Sequence, residues 1–214
     1  MTRPALCAFG QGDRRGVLAW WAVCAAIGLM MLALPAAQQA LGGPPPATLF
    51  DWQPTLAWPQ AWRWWTPVAV HYSPLHWGAN LAGLLLVGAL GQAAQLPRRA
   101  ALAWCLAWPL THLALGLRPE LLHYGGASGV LHAGVAVVGV VLLCWRQGTP
   151  RWIGAALWAG LLLKLGVEAP WGPVLQARTG WDILIAPWAH ATGTAAGALC
   201  AGLVAAVWRP RPRP

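Results

Sequence analysis

The sequence predicts a single all-α integral membrane domain, and three observations carry that prediction. Hydrophobic side chains make up 58% of the 214 residues and charged ones only 9%, too little polar surface for a soluble globule. The charges gather in a few short breaks. Between them run continuous apolar stretches without the period-2 alternation of a barrel strand, each long enough at about 1.5 Å per residue to span roughly 30 Å of hydrocarbon. Six transmembrane helices are expected: Val17 to Leu41, Pro74 to Leu96, Ala100 to Leu117, Ala127 to Trp145, Trp152 to Val167 and Pro187 to Trp208.

The first stretch follows Arg14 and Arg15 and precedes small residues from Ala36 to Ala40, which leaves a cleaved signal peptide as an alternative. Its apolar run exceeds the roughly 7–15 residues of a signal core, so an uncleaved helix is the better reading. The break from Gly42 to Pro67 carries Trp52, Trp58, Trp62, Trp64 and Trp65. Tryptophan prefers headgroup depth, so this loop is expected half-submerged on the outer face. The second stretch opens with His76 and Asn80, the fourth with Gly126-Ala127-Ser128-Gly129, and the sixth with Ala189-His190 followed by Gly193 and Gly197. The fifth carries Trp158 and Lys164 and leads into a loop from Glu168 to Pro187 that is a plausible moving part.

The net charge of +9 is explained by topology rather than by nucleic acid. With the N-terminus inside, Arg3, Arg14, Arg15, Arg98, Arg99, Arg146, Arg151, Arg209, Arg211 and Arg213 face the cytoplasm, while Asp51, Glu120, Glu168 and Asp182 lie outside. The excess of inward arginines favours both termini in the cytoplasm. Residues 1–214 are expected to form one domain with short basic ends at 1–16 and 209–214. The Arg-Pro tail reads as a disordered anchor to anionic headgroups. Cys7, Cys24, Cys105, Cys144 and Cys200 show no CxxC spacing, and in hydrocarbon a thiol behaves as a small hydrophobe. His71, His112, His123 and His132 form no HxxxH or HExxH pattern with acidic or thiol ligands, so neither metal nor cofactor is expected.

A hydroxyl, amide or imidazole in hydrocarbon is costly unless it faces a protein interior or a watery cavity, which makes the three polar islands functional candidates. Ser128 falls at a helix N-terminus, where unpaired backbone donors and the positive dipole end would stabilise an oxyanion. Its bland reading is an ordinary N-cap. His190 lies at the same depth, and a neutral imidazole there can take the hydroxyl proton and turn Ser128 into a nucleophile. Alone, it reads equally well as a hydrogen bond across a helix interface. Gly193 and Gly197 form a small-xxx-small face that lets the fourth and sixth helices approach closely. No acid lies within either helix, so a Ser-His dyad is expected, with packing holding the ring. His76 and Asn80, spaced i, i+4, share one helix face and read either as oxyanion donors or as glue between helices. His132, one turn after Ser128, is expected to contact the site without being the base. His71 is expected to cap or steady the entrance to the second helix.

With these motifs in hand, the chain resembles the rhomboid family of intramembrane serine proteases over nearly its whole length. HxxxN at His76 to Asn80, GxSG at Gly126 to Gly129 and AHxxGxxxG at Ala189 to Gly197 occur in the family's order. The Arg63-Trp64-Trp65-Thr66 stretch and His71 are also similar to the family's lead into its second helix. The resemblance implies a six-helix rhomboid-like bundle with Ser128 as nucleophile, His190 as base, and His76, Asn80 and the Ser128 amide as the oxyanion hole. Gly126, Gly129, His132, Gly193 and Gly197 would support them. Rhomboids commonly carry a tyrosine four residues after the serine, stacked on the catalytic histidine, where this chain has His132. That substitution suggests that His132 or Tyr124 supports His190 instead.

The short ends, the GASG form and Leu131-His132 are most similar to the rhombosortase subgroup of bacterial rhomboids. This implies an enzyme of the bacterial inner membrane that processes transmembrane or C-terminally anchored surface proteins at a Gly-Gly signal followed by an apolar helix and a basic tail. The bilayer and transmembrane proteins are then its partners. Two other readings stand beside this one. A catalytically silent relative would bind transmembrane helices, although both Ser128 and His190 are present. A small transporter would need central charges that no span carries.

Overall fold

The computed structural model describes residues 14–41, 49–145 and 149–207. Residues 1–13, with Cys7, and 208–214, the stretch 42–48 and residues 146–148 lie outside the described residues, as does the expectation of cytoplasmic termini. Among the described residues six α-helices form the fold: α1 (Arg14–Leu41), α2 (Pro74–Ala93), α3 (Arg98–Leu113), α4 (Ser128–Trp145), α5 (Thr149–Glu168) and α6 (Pro187–Val207). Short 3-10 turns at Ala61–Trp64 and Thr66–Ala69 lead into α2, and Ala114–Leu117 extends α3. The described residues contain no β-strand, only isolated bridges. By length and composition Arg14–Ala33, Pro74–Ala93, Arg98–Leu117 and Pro187–Val207 can each cross a membrane, and Ser128–Cys144 is a slightly shorter apolar helix. The chain is an all-α membrane bundle, with boundaries a few residues from those expected.

Helix α4 is the central member. Val130, Ala133, Val137, Val138 and Val141 are fully buried, and α2, α3, α5 and α6 all pack on α4. Against α6 the approach is backbone on backbone. A Cβ added to Gly193 would sit 1.9 Å from the Gly129 carbonyl oxygen, and one added to Gly197 would sit 2.3 Å from that of Ala133. Only glycine permits this crossing, as the small-xxx-small pattern implied. Helix α5 packs on α4 and only marginally on α6.

Tryptophan stitches the other helices together. The Trp20 indole donates to the Val87 carbonyl at 3.0 Å, Trp104 to Val130 at 2.8 Å, Trp77 to Met31 at 3.3 Å and Trp188 to Ala114 at 3.2 Å. Trp20 and Trp104 also pack ring on ring in a tilted contact, with centroids 4.4 Å apart and planes at 31°. In hydrocarbon an indole N–H needs a protein acceptor, so each bond fixes one helix against another.

The tryptophan-rich loop only partly matches the expected interfacial belt. Trp58 is 73% exposed and Trp62 50%, but Trp52 is buried. It packs with Leu115, Leu121, Tyr124 and Ala189, because its backbone pairs with Tyr124 in both directions, at 2.8 and 3.0 Å. That bridge ties the first loop to the segment entering α4. Beneath it lies a buried ion pair, Arg63 Nη1 to Asp51 Oδ1 at 3.0 Å.

Candidate active site

The N-terminal ends of α2, α4 and α6 meet, and each delivers one of the polar islands. On α2, Pro74 occupies the first turn and the Ser73 hydroxyl caps it by accepting from the His76 amide at 3.0 Å. Ser73, not His71, is therefore the cap. His71 steadies the helix by packing edge-on against His76, with centroids 4.8 Å apart. Neither His71 ring nitrogen has a hydrogen-bond partner among the described residues. Burial, and next the neighbouring His76, hold the His71 imidazole down from its ordinary 6.5 to about 4.

Gly126 precedes the serine with φ at +129°, a conformation that disfavours any side chain. A Cβ there would also lie 2.7 Å from His76 Nε2 and 3.6 Å from Asn80 Nδ2. The glycine thus lets two α2 side chains close over the backbone just before Ser128. Ser128 is the first residue of α4. Tyr124 braces it from below: its hydroxyl donates to the Gly126 carbonyl at 3.2 Å, accepts from the Gly129 amide at 3.3 Å and lies 3.5 Å from Ser128 Oγ. Burial raises the Tyr124 phenol above its usual range, so the hydroxyl keeps its proton.

His190 Nε2 lies 3.0 Å from Ser128 Oγ. Its ring stacks on that of His132, with centroids 4.3 Å apart and planes at 12°, and His132 Nδ1 donates to the Ser128 carbonyl at 2.7 Å. The stacking position four residues after the serine is thus kept with an imidazole in place of a phenol. Tyr124 braces the serine rather than His190.

The expectation that no acid faces His190 fails. Glu168, the last residue of α5, places Oε2 2.6 Å from His190 Nδ1, and its other oxygen pairs with Lys164 one turn earlier. Neither the serine helix nor the histidine helix carries this carboxylate, which arrives from a third helix, 22 residues before the ring it meets. The available signal was a Lys-to-Glu i, i+4 pair at the end of an apolar helix, an arrangement that rarely stands in hydrocarbon without a task.

His76, Asn80, Ser128, His132 and His190 all line one cavity of about 450 Å³, whose wall is completed by Leu131, Val135, Leu161 and Trp181. Asn80 Nδ2 and His76 Nδ1 are buried without hydrogen-bond partners among the described residues. A buried polar atom left unpaired is costly, and both side chains line the cavity that holds the Ser128 hydroxyl and the His190 imidazole. No group of side chains able to hold a metal occurs among the described residues. The loop between α5 and α6 closes the rim, Asp182 accepting from the Ser73 hydroxyl at 2.7 Å.

The family model described as the Rhomboid domain matches residues 59–207, a span that includes every polar group lining this cavity. No curated protein is similar enough to the chain to count as a relative.

Proposed function

Because the chain belongs to the rhomboid family, we propose that it is an intramembrane serine protease with Ser128 as nucleophile and His190 as general base. The observation that carries this reading is the 3.0 Å approach of Ser128 Oγ to His190 Nε2 on the wall of a partly enclosed cavity. Ser128 Oγ attacks the scissile carbonyl carbon, its proton passes to Nε2, and the same proton leaves with the departing amine as the C–N bond breaks. Water, or another nucleophile in a transfer reaction, then releases the acyl group. His76, whose Nε2 lies against Gly126, Asn80, whose Nδ2 is an unpaired donor near the same glycine, and the Ser128 amide at the α4 N-terminus are the oxyanion stabilisers. Gly126, Gly129, Gly193 and Gly197 allow the close approaches, and His132 backs the base.

The substrates in this reading are transmembrane or C-terminally anchored surface proteins cut near the outer face of a bacterial inner membrane. The Gly126-Ala127-Ser128-Gly129 form and Leu131-His132 support the rhombosortase subgroup and hence a Gly-Gly signal. The test is cleavage of a tagged model substrate ending in Gly-Gly, an apolar helix and a basic tail, by reconstituted wild-type protein and by Ser128→Ala and His190→Ala. Loss of product by about 10⁴-fold or more in both variants is expected. Undiminished product from Ser128→Ala would overturn the assignment. Equal cutting after replacing Gly-Gly by leucines would remove the subgroup alone.

A further inference from the structure

We propose that Glu168 is the positioning residue of the site, so that the chain works with a Ser128–His190–Glu168 triad in place of a dyad. The inference rests on the reading of Ser128 and His190 as nucleophile and base.

An ionised carboxylate only accepts hydrogen bonds, so the 2.6 Å contact with Glu168 requires the proton on His190 Nδ1. In the neutral ring that leaves the Nε2 lone pair free, and Nε2 is the nitrogen facing the Ser128 hydroxyl. Glu168 thereby selects the one tautomer that can accept the serine proton. When that proton arrives, the ring becomes an imidazolium with Nδ1–H still held by the carboxylate. The positive charge then has an anion 2.6 Å away in a setting where His190 and Glu168 are each only 7% exposed. Glu168 takes up no proton in this cycle. It orients the ring and stabilises the cation.

The carboxylate is itself held. Its second oxygen takes the Lys164 ammonium, and Arg178 Nη2 donates to the carbonyls of Val167 and Glu168 at 3.1 and 3.2 Å, pinning the last turn of α5. Ala169 then breaks the helix at φ of +48°. These bonds give the Glu168 side chain a fixed origin from which to reach across to α6. The other groups against His190 supply no competing acid among the described residues. His132 comes from α4, Asp182 is committed to Ser73 and Asp51 to Arg63.

The experiment uses the full chain in proteoliposomes, comparing wild type, Glu168→Gln and Glu168→Asp by substrate cleavage and by the rate at which a fluorophosphonate probe acylates Ser128. Glutamine keeps the shape, loses the charge and can present its N–H₂ to Nδ1, favouring the wrong tautomer. Expected are a fall in kcat of about 10²–10⁴-fold with KM unchanged, a parallel slowing of acylation, and partial recovery in Glu168→Asp. Wild-type kcat in Glu168→Gln, with Ser128→Ala still inactive, overturns the triad and leaves the protease reading intact. Activity in Ser128→Ala would instead overturn the protease reading itself. Should Glu168→Gln fail to fold, NMR of the wild type decides. A downfield proton on His190 Nδ1 that vanishes in His190→Ala supports the bond, and its absence from the wild type overturns it.

Discussion

Two carboxylates in this chain hold an imidazole by its Nδ1 at 2.6 Å while their other oxygen meets a cation. Glu168 holds His190 and Lys164, and Asp51 holds His123 and Arg63. The pairs differ in what surrounds them. The His190 side chain is 9% exposed and its second nitrogen faces a hydroxyl, whereas the His123 side chain is 62% exposed. On the cation side the order reverses, with Arg63 buried and Lys164 45% exposed. A carboxylate–imidazole pair is thus not chemistry in itself. In the proposed mechanism the far nitrogen's environment makes one ring a base, whereas the buried cation makes the other acid a structural rivet.

The strongest way to break this comparison is Asp51→Asn. Arg63 would stay buried while losing the carboxylate oxygen now 3.0 Å away, a loss of about 3–5 kcal/mol. The unfolding temperature of the solubilised protein is expected to drop by roughly 6–20 °C, while each molecule still folded acylates a fluorophosphonate at the wild-type rate. That outcome mirrors the one expected of Glu168→Gln, where rate falls and stability holds. Slowed acylation at an unchanged unfolding temperature would show that Asp51 acts on the site and that the two pairs are not separable.

His71 sharpens the contrast from the other side, because it has no carboxylate at all. Its pKa is held at about 4 in the fold against 6.5 in the unfolded chain, so as pH falls the unfolded state binds the proton first. Stability is then lost progressively from pH 6.5 down to about 4, by up to about 3 kcal/mol. His71→Phe removes the titrating group and is expected to flatten that part of a plot of unfolding temperature against pH. An unaltered acid slope would assign the loss to other groups.

What was legible in the sequence follows the same physical divide. Four of the six helices are long and apolar enough to cross a membrane and were readable on that ground, and the serine, histidine and asparagine stood out because polar groups are rare within such apolar runs. The close α4–α6 crossing was readable too, since Gly193 and Gly197 repeat at helical spacing and meet Gly129 and Ala133 as that spacing demands. What sequence did not show are contacts between helices whose partners obey no spacing rule. Glu168 meets His190 across a loop, and Tyr124 reaches forward to the Gly129 amide. Trp52 was expected at the membrane interface from composition alone, yet its backbone pairing with Tyr124 draws it into the interior. In each case tertiary placement overrode the local preference.

The smallest expected effect falls on the half of the comparison that looks most like the active pair. His123→Ala deletes an imidazole bonded to a fully buried carboxylate, but the ring itself stands largely in solvent, where such pairs contribute no more than about 1 kcal/mol. Asp51 would keep Arg63 at 3.0 Å and the Gln53 amide at 2.8 Å. The unfolding temperature is therefore expected to fall by only a few degrees, against a far larger loss in Asp51→Asn. If His123→Ala matched Asp51→Asn, the rivet would depend on the imidazole rather than on the buried arginine. The distinction between the two carboxylates would then have to rest on the Ser128 contact alone.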